Sequence, residues 1–181
     1  MRKLCVRVSV VGAMLLGSTP AFAQQSVTLT DTSQTTTLTA TVSEQARVTV
    51  PAGITFNVTT VTSSTAATAA SVTVQNIVLA TATKQMRVSL EANAASFTPP
   101  VVGGTTWGAG DVTWNAATWT NATGASGTLS SAAYSEVATC AAGSADCSTT
   151  GLVFTLAAKG TVQNSGNHTL VVRWKFESIG S

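Results

Sequence analysis

The chain contains a series of short runs in which apolar and polar residues alternate, and these runs limit the folds open to it. The last run, HTLVVRWKFESI at 168–179, has two different sides. One side is formed by Leu170, Val172, Trp174 and Phe176, and the other by Val171, Arg173, Lys175 and Glu177. A period of two residues is typical of a β-strand with one face in a core and the other in water. We therefore predict a half-buried strand here.

Similar runs follow one another along the sequence, separated by residues that favour turns. They lie at 26–30, 36–44, 47–50, 54–61, 71–81, 84–92 and 151–159. In the run at 71–81 the apolar positions change side at Gln75 and Asn76, which predicts a β-bulge. None of the runs has the i, i+3, i+4 stripe of an amphipathic helix. Strands at a spacing of roughly 8 to 12 residues predict an all-β fold, an antiparallel two-sheet Ig-like β-sandwich, with a β-barrel as the alternative.

The N-terminus has the features of a secretory signal peptide at 1–23. Three basic residues come first, which are Arg2, Lys3 and Arg7. An apolar run and the small-x-small site Ala21-Phe22-Ala23 follow. The apolar run has about a dozen residues, against the roughly 20 that cross a bilayer, so we predict export without a membrane span. The product is expected in the periplasm, at the cell surface or outside the cell. We divide the remainder into an extended arm at 24–36 and a β-sandwich domain at 37–181.

The charge balance argues against a strongly charged partner. The chain has nine basic and seven acidic residues, and three of the basic ones lie in the signal peptide, which leaves six against seven. Because no basic patch follows from this balance, we expect no nucleic-acid partner. Charged residues are only 9% of the chain. The abundant Thr and Val are β-branched and suit pleated sheets.

Two cysteines follow the signal peptide, Cys140 and Cys147. In an exported chain, a single pair of this kind is expected to form a disulfide. The spacing is too wide for a CxxC redox motif, and no further Cys or His lies close enough in sequence to suggest zinc. Closing so short a loop contributes about 2.5 kcal/mol in the chain-entropy model. We predict that the bond pins the Gly-, Ala- and Ser-rich loop between the two residues.

Residues that could carry catalysis are scarce. The chain has one histidine, His168, which lies where a turn leads into the last strand and is expected to be a polar surface residue. The sequence contains no GxSxG, P-loop, HExxH, EF-hand or paired-carboxylate motif. Three aspartates, Asp31, Asp111 and Asp146, are scattered over predicted loops. We therefore expect a non-catalytic protein with no cofactor and no metal site, with a weak calcium site at these aspartates as the alternative.

Three tryptophans lie close together in TTWGAGDVTWNAATWT, at Trp107, Trp114 and Trp119. Exposed aromatic faces beside polar groups such as Asp111 are how many β-sandwich modules hold sugars, because a ring stacks on C–H faces while polar neighbours bind hydroxyls. This pattern makes a carbohydrate-binding module one hypothesis, with glycans as partners. The other is that the tryptophans are core residues of a protein poor in large side chains.

In style, the mature chain resembles secreted bacterial β-sandwich subunits of surface structures, namely fimbrial pilins of the chaperone-usher type and spore-coat-U-like proteins. The resemblance is carried by the signal peptide, by the Thr-, Ala-, Gly- and Val-rich strands and by GNHTLVVRWKF at 166–176. The segment QQSVTLTDTSQT at 24–35 is similar to the N-terminal extension that such subunits donate to a neighbour. The chain differs from fimbrial subunits in its late disulfide and in the residues ESIGS after Phe176.

The resemblance implies a structural or adhesive cell-surface protein, of the fimbrial type, that associates with itself or with other surface subunits. A sheet that lacks one strand exposes main-chain groups and a hydrophobic groove, which an extended segment of another chain fills by β-augmentation. Val27 and Leu29, at alternate positions of the arm, are the candidate donor-strand residues. The alternative is that SVTLT at 26–30 pairs within its own molecule.

Overall fold

A computed structural model describes residues 26–30 and 32–181. The predicted signal peptide, the first two residues of the predicted arm and Asp31 lie outside this part of the chain. The chain divides into two compact units, Met1–Ala40 and Thr41–Ser181. In the first unit, the described residues form no helix or strand, and their side chains are exposed.

The alternating run at 36–44 does not form the strand predicted for it. The first strand of the described chain begins at Gln45. Leu38 is 92% exposed and Val42 is 68% exposed, so the apolar row of this run is open to solvent. The prediction was wrong because alternation shows only that a segment suits a half-buried sheet, whereas a strand also needs a neighbour to pair with.

The second unit is built from eleven strands and one 3-10 helix, Ala109–Asp111. The strands are β1 (Gln45–Thr49), β2 (Thr65–Ala66), β3 (Ala70–Val78), β4 (Gln85–Ala92), β5 (Val112–Trp114), β6 (Ala122–Gly124), β7 (Gly127–Thr128), β8 (Ser135–Cys140), β9 (Cys147–Leu152), β10 (Phe154–Leu156) and β11 (Val172–Ile179). The regular runs of β-branched and apolar residues give the longer strands, and the Gly-, Ser- and Ala-rich stretches give the connections.

All strand pairs are antiparallel, in three sheets ordered β1-β3-β9, β2-β10-β5-β7 and β11-β4-β8-β6. The first two sheets share one layer, because β9 continues into β10 with only Val153 between them. In addition, the N–H of Ala67, which lies between β2 and β3, donates to the Phe154 carbonyl at 2.8 Å. The third sheet forms the other layer. None of the sheets closes into a barrel, so the all-β antiparallel sandwich is confirmed.

The bulge predicted at Gln75 and Asn76 is present in β3. Gln45 of β1 lies opposite Val78, whereas Arg47, two residues on, lies opposite Gln75. The pairing therefore places one extra residue on β3, and Asn76 there takes the left-handed conformation, with φ 53°. An extra residue explains why the apolar positions of this run change side.

The two layers bury a single core of mainly aliphatic side chains. In β4 the predicted inward row, Met86, Val88 and Leu90, is 4%, 0% and 0% exposed. Val72 and Val74 of β3 are completely buried on the other layer. The period-two pattern therefore identified the core faces of the central strands correctly.

The predicted disulfide between Cys140 and Cys147 is present, with the two Cα atoms 5.8 Å apart. Cys140 ends β8 in the third sheet and Cys147 begins β9 in the first, so the bond joins the two layers as well as closing the loop between them. A disulfide is typical of oxidising compartments and fits an exported protein. No helix in residues 26–30 or 32–181 has the length and apolar character needed to cross a membrane.

Candidate functional site

An open groove of about 890 Å³ lies in the surface of the sandwich, lined by apolar side chains and by polar residues such as Gln163 and Asn164. Its lining includes residues of the segment 51–58, which we call the first wall, and of 162–172 with Trp174, of which we call 168–172 and Trp174 the second wall. Between the walls the floor consists of core side chains, among them Val112, Leu129, Phe154 and Leu156. The groove is therefore a place where the core of the sandwich reaches the surface.

The first wall, residues 51–58, has the sequence of a strand but pairs with no strand among the described residues. Its apolar side chains Ile54, Phe56 and Val58 are half-buried, while the intervening Thr55 and Asn57 are exposed, as the alternation predicted. Within the part of the chain that the structure describes, residues 52–58 make one main-chain hydrogen bond, from the Val58 N–H to the Phe56 carbonyl at 3.1 Å. The other peptide groups of residues 52–58 therefore have no main-chain partner among the described residues.

The second wall includes the edge strand β11, which among the described strands pairs only with β4. The carbonyl of Val171, just before β11, accepts a hydrogen bond from the Asn93 N–H at 3.0 Å and so points toward β4. Successive residues of an antiparallel strand turn their main-chain groups to alternate edges. The N–H and C=O groups of Val172, Trp174 and Phe176 therefore point away from β4, toward the free edge.

The side chains of β11 show that this side of the core is incomplete. Val172, Trp174 and Phe176 form the apolar row predicted from the sequence, but they are only half-buried. By contrast, their β4 neighbours Val88 and Leu90 are fully buried. Trp174 and Phe176 stack on each other with ring centroids 6.4 Å apart. Apolar surface at the groove therefore remains available for burial by another segment.

His168 fixes one end of the groove. Its Nε2 lies 3.0 Å from the carbonyl oxygen of Asn164, and its Nδ1 lies 2.7 Å from the hydroxyl of Thr106. A carbonyl only accepts, so Nε2 carries a proton and donates it to Asn164, and in the neutral ring Nδ1 accepts from the Thr106 hydroxyl. The ring also contacts the edge of Trp107 at 5.2 Å between centroids. His168 is thus half-buried and holds the turn before β11 in place, rather than being a simple surface residue.

The three tryptophans predicted as candidate ligand-binding residues are buried. Trp107, Trp114 and Trp119 are 4%, 3% and 8% exposed. The indole N–H of Trp107 donates to the carbonyl of Ala157, and that of Trp114 to the carbonyl of Ala125, each at 3.0 Å. The exposed aromatic faces required by the carbohydrate hypothesis are therefore not there, and core packing accounts for these residues. Only Trp107 reaches the groove, as part of its lining.

Asp111, the polar member of the same candidate site, is engaged within the fold. Its Oδ2 accepts hydrogen bonds from Lys159 Nζ and from the Gly108 N–H, both at 2.8 Å. Partial burial alone would raise the pKa of this carboxyl, but the bonds from Lys159 and Gly108 outweigh it and hold the pKa below its ordinary value. Within the described residues, no three His, Cys, Asp or Glu side chains gather in a way that could hold a metal ion.

The candidate donor residues of the arm lie in the first unit and are exposed, Val27 by 43% and Leu29 by 94%. The apolar row at 36–44 is equally open, which extends the exposed alternating segment beyond the predicted arm. Sequence reasoning did not identify 51–58 as a wall of the groove. Its only signal was an alternating run that begins directly after Pro51 and Gly53.

Comparisons of the chain with protein families, with curated proteins and with solved structures each find no match. The groove and the exposed alternating segment are therefore the features of this chain that indicate a function.

Proposed function

We propose that the protein is an exported structural subunit of a surface assembly, in which an extended segment of one copy fills the groove of another as an added strand. The observation that carries this proposal is the pair of unpaired walls, residues 51–58 and the free edge of β11, with core side chains between them. A fold of this kind has one strand position open along its core.

An inserted strand would satisfy both walls at once. Its main-chain groups would pair with those of Val172, Trp174 and Phe176 on one side and with residues 54–58 on the other. Its alternate side chains would cover the half-buried row of β11 and the floor of the groove. Each large aliphatic side chain buried in this way contributes about 1.5–3 kcal/mol.

The segment that fits this position is the N-terminal segment of a second copy, residues 26–43. Val27 and Leu29 alternate with Ser and Thr in its first run, and Leu38, Ala40 and Val42 do so in its second. The segment carries one charged residue, Asp31, and this lies between the two runs. Either run can therefore enter the groove without burying a charge. Burial of an unpaired charge would cost far more free energy than burial of the apolar side chains gains.

Glu44, which lies between the N-terminal segment and β1, is held in place by three hydrogen bonds. The Glu44 carboxylate accepts hydrogen bonds from the Ala80 N–H at 2.7 Å, from Lys84 Nζ at 3.0 Å and from the Ser178 hydroxyl at 3.3 Å. The Ala80 N–H first, and Lys84 next, hold the pKa of Glu44 below its ordinary value. Glu44 thus ties the root of the segment to the β3–β4 turn and to β11.

The test compares charged substitutions on the two sides of the alternating runs. Leu29→Asp and Leu38→Asp, made together, place carboxylates on the inserted face, whereas the control Thr28→Asp with Thr39→Asp places them on the outward face. We expect the parent and the control to associate, and the Leu variant to be a folded monomer by light scattering after size-exclusion chromatography. Hydrogen exchange at residues 54–58 should be slowed only in the proteins that associate.

A parent that is monomeric at every concentration, with fast exchange at residues 54–58, would contradict the proposal. Equal loss of association in the Leu variant and the Thr control would also contradict it, since general repulsion between charged arms would then explain the result.

A further inference from the structure

The loop at 99–104 presents two valines to solvent in a fixed turn. Val101 is 53% exposed and Val102 is 101% exposed, the largest value among the exposed apolar residues of the described chain. The Gly104 N–H closes the turn on the Val101 carbonyl at 2.9 Å, and Gly103 takes φ 77°, as the third position of a type II turn requires. We refer to Val101 and Val102 as the knob.

The loop that carries the knob is joined by close contacts to residues 166–169, which line the groove. Just before the knob, Thr98 exchanges two main-chain hydrogen bonds with Thr169, at 2.7 and 3.0 Å, and Thr169 leads into β11. Pro100 packs so closely on Gly166 that a Cβ added there would lie 2.9 Å from the proline Cβ. The His168 contacts with Thr106 complete this connection. The knob therefore stands beside the end of the groove at which β11 begins.

The direction of an inserted strand decides which part of the second copy meets the knob. Every strand pair of the described chain is antiparallel, and antiparallel pairing is slightly more stable per residue. A strand antiparallel to β11 ends where β11 begins. The body of the inserted copy, which follows its segment in sequence, therefore emerges beside the knob.

We propose that the knob is a second contact between copies, in which Val101 and Val102 pack on the body of the copy whose segment fills the groove. This inference rests on the proposed function. The receiving surface is the root of the inserted copy, near Glu44, where the exposed Val78 (39%) and Val48 (41%) offer apolar area. The contact would fix the angle between successive copies, which a flexible segment alone would leave free.

The experiment measures the contributions of the groove and of the knob to binding separately. The acceptor is the full chain carrying Leu29→Asp and Leu38→Asp, which cannot donate its own segment. It is prepared with the native knob, with Val101→Ser and Val102→Ser, and with the conservative pair Val101→Ile and Val102→Ile. One probe is a synthetic peptide of residues 26–43, which fills the groove without a body, and the other is the parent chain. Binding of each labelled probe is measured by fluorescence anisotropy.

We expect the serine acceptor to bind the peptide within twofold of the native-knob acceptor, because the groove is unchanged. Its affinity for the parent chain should fall about tenfold or more, since two apolar side chains lose their burial. The isoleucine acceptor should bind the parent chain as well as the native-knob acceptor does.

Other outcomes overturn the inference in distinguishable ways. If the serine acceptor binds the parent chain and the peptide normally, the knob is not a contact, while the proposed function stands. If the serine acceptor loses the peptide as well, the turn acts by shaping the groove. If the native-knob acceptor binds neither probe, the proposed function fails and the inference fails with it.

Discussion

Replacing both cysteines by alanine should lower the free energy of unfolding by about 2.5 kcal/mol. The bond between Cys140 and Cys147 spans a sequence separation of 7 residues, and the chain-entropy model gives about 2.5 kcal/mol for a ring of this size. Both residues are buried, by 99% and 100%. For a unit of this length the loss corresponds to a fall in Tm of roughly 8 °C. The bond also joins β8 to β9, so its removal should loosen the contact between the two layers.

The assay is equilibrium urea unfolding of the parent and the Cys140→Ala/Cys147→Ala variant, with hydrogen exchange on β8 and β9. A Cys140→Ser/Cys147→Ser variant provides a matched comparison. It should be less stable than the alanine variant by about 1–3 kcal/mol for each buried hydroxyl that finds no partner. A double alanine variant as stable as the parent, with unchanged exchange on β8 and β9, would refute the reasoning, because the link between the layers would then contribute nothing.

Two further predictions concern charge and close packing. The pKa values of Glu44 and Asp111 lie below their ordinary values. The two carboxylates therefore stabilise the fold at neutral pH, and this stability is lost as the pH falls below about 4 through their folded-state pKa values. Urea midpoints at pH 7 and pH 3 should show this loss, and the deficit of Glu44→Gln relative to the parent should be smaller at pH 3 than at pH 7; an equal deficit at both pH values would contradict it. Gly124→Ala would place a Cβ 2.2 Å from the Ala117 carbonyl oxygen and should cost about 1–3 kcal/mol, whereas Gly110→Ala, with open space around it, should unfold within about 0.5 kcal/mol of the parent. Equal effects of the two alanines would show that the close approach at Gly124 does not matter.

Local pattern was sufficient to predict the fold class and the central strands. In β4 the alternation fixes the buried row because both neighbouring strands are present, and the change of side at Asn76 follows directly from one inserted residue. The disulfide was predictable from the count of cysteines in an exported chain. Its placement between the layers was not, because that depends on β8 and β9 lying in different sheets, and the sequence does not specify strand order.

The tryptophans show why a candidate site can be misjudged from sequence. Trp114 and Trp119 were considered as binding residues because polar groups surround them in sequence. In the structure, glycines make room for them, since a Cβ on Gly127 would lie 2.4 Å from the Trp114 ring and one on Gly124 would lie 2.8 Å from that of Trp119. These two glycines lie in β6 and β7, where they are packing partners of the indoles. Which glycine meets which ring depends on the register of distant strands.

Two of the alternating runs that failed to form strands have opposite surroundings. Residues 36–44 have an apolar row and no surface to cover, whereas residues 51–58 lie beside exposed core with no strand to pair with. Alternation predicts a strand only when a partner is available, and within the described chain neither run has one. Under the proposed function, one copy supplies the strand and another copy supplies the position for it, and each would stabilise the other. Both mispredictions thus have the same physical cause, which is also the reason to expect association between copies.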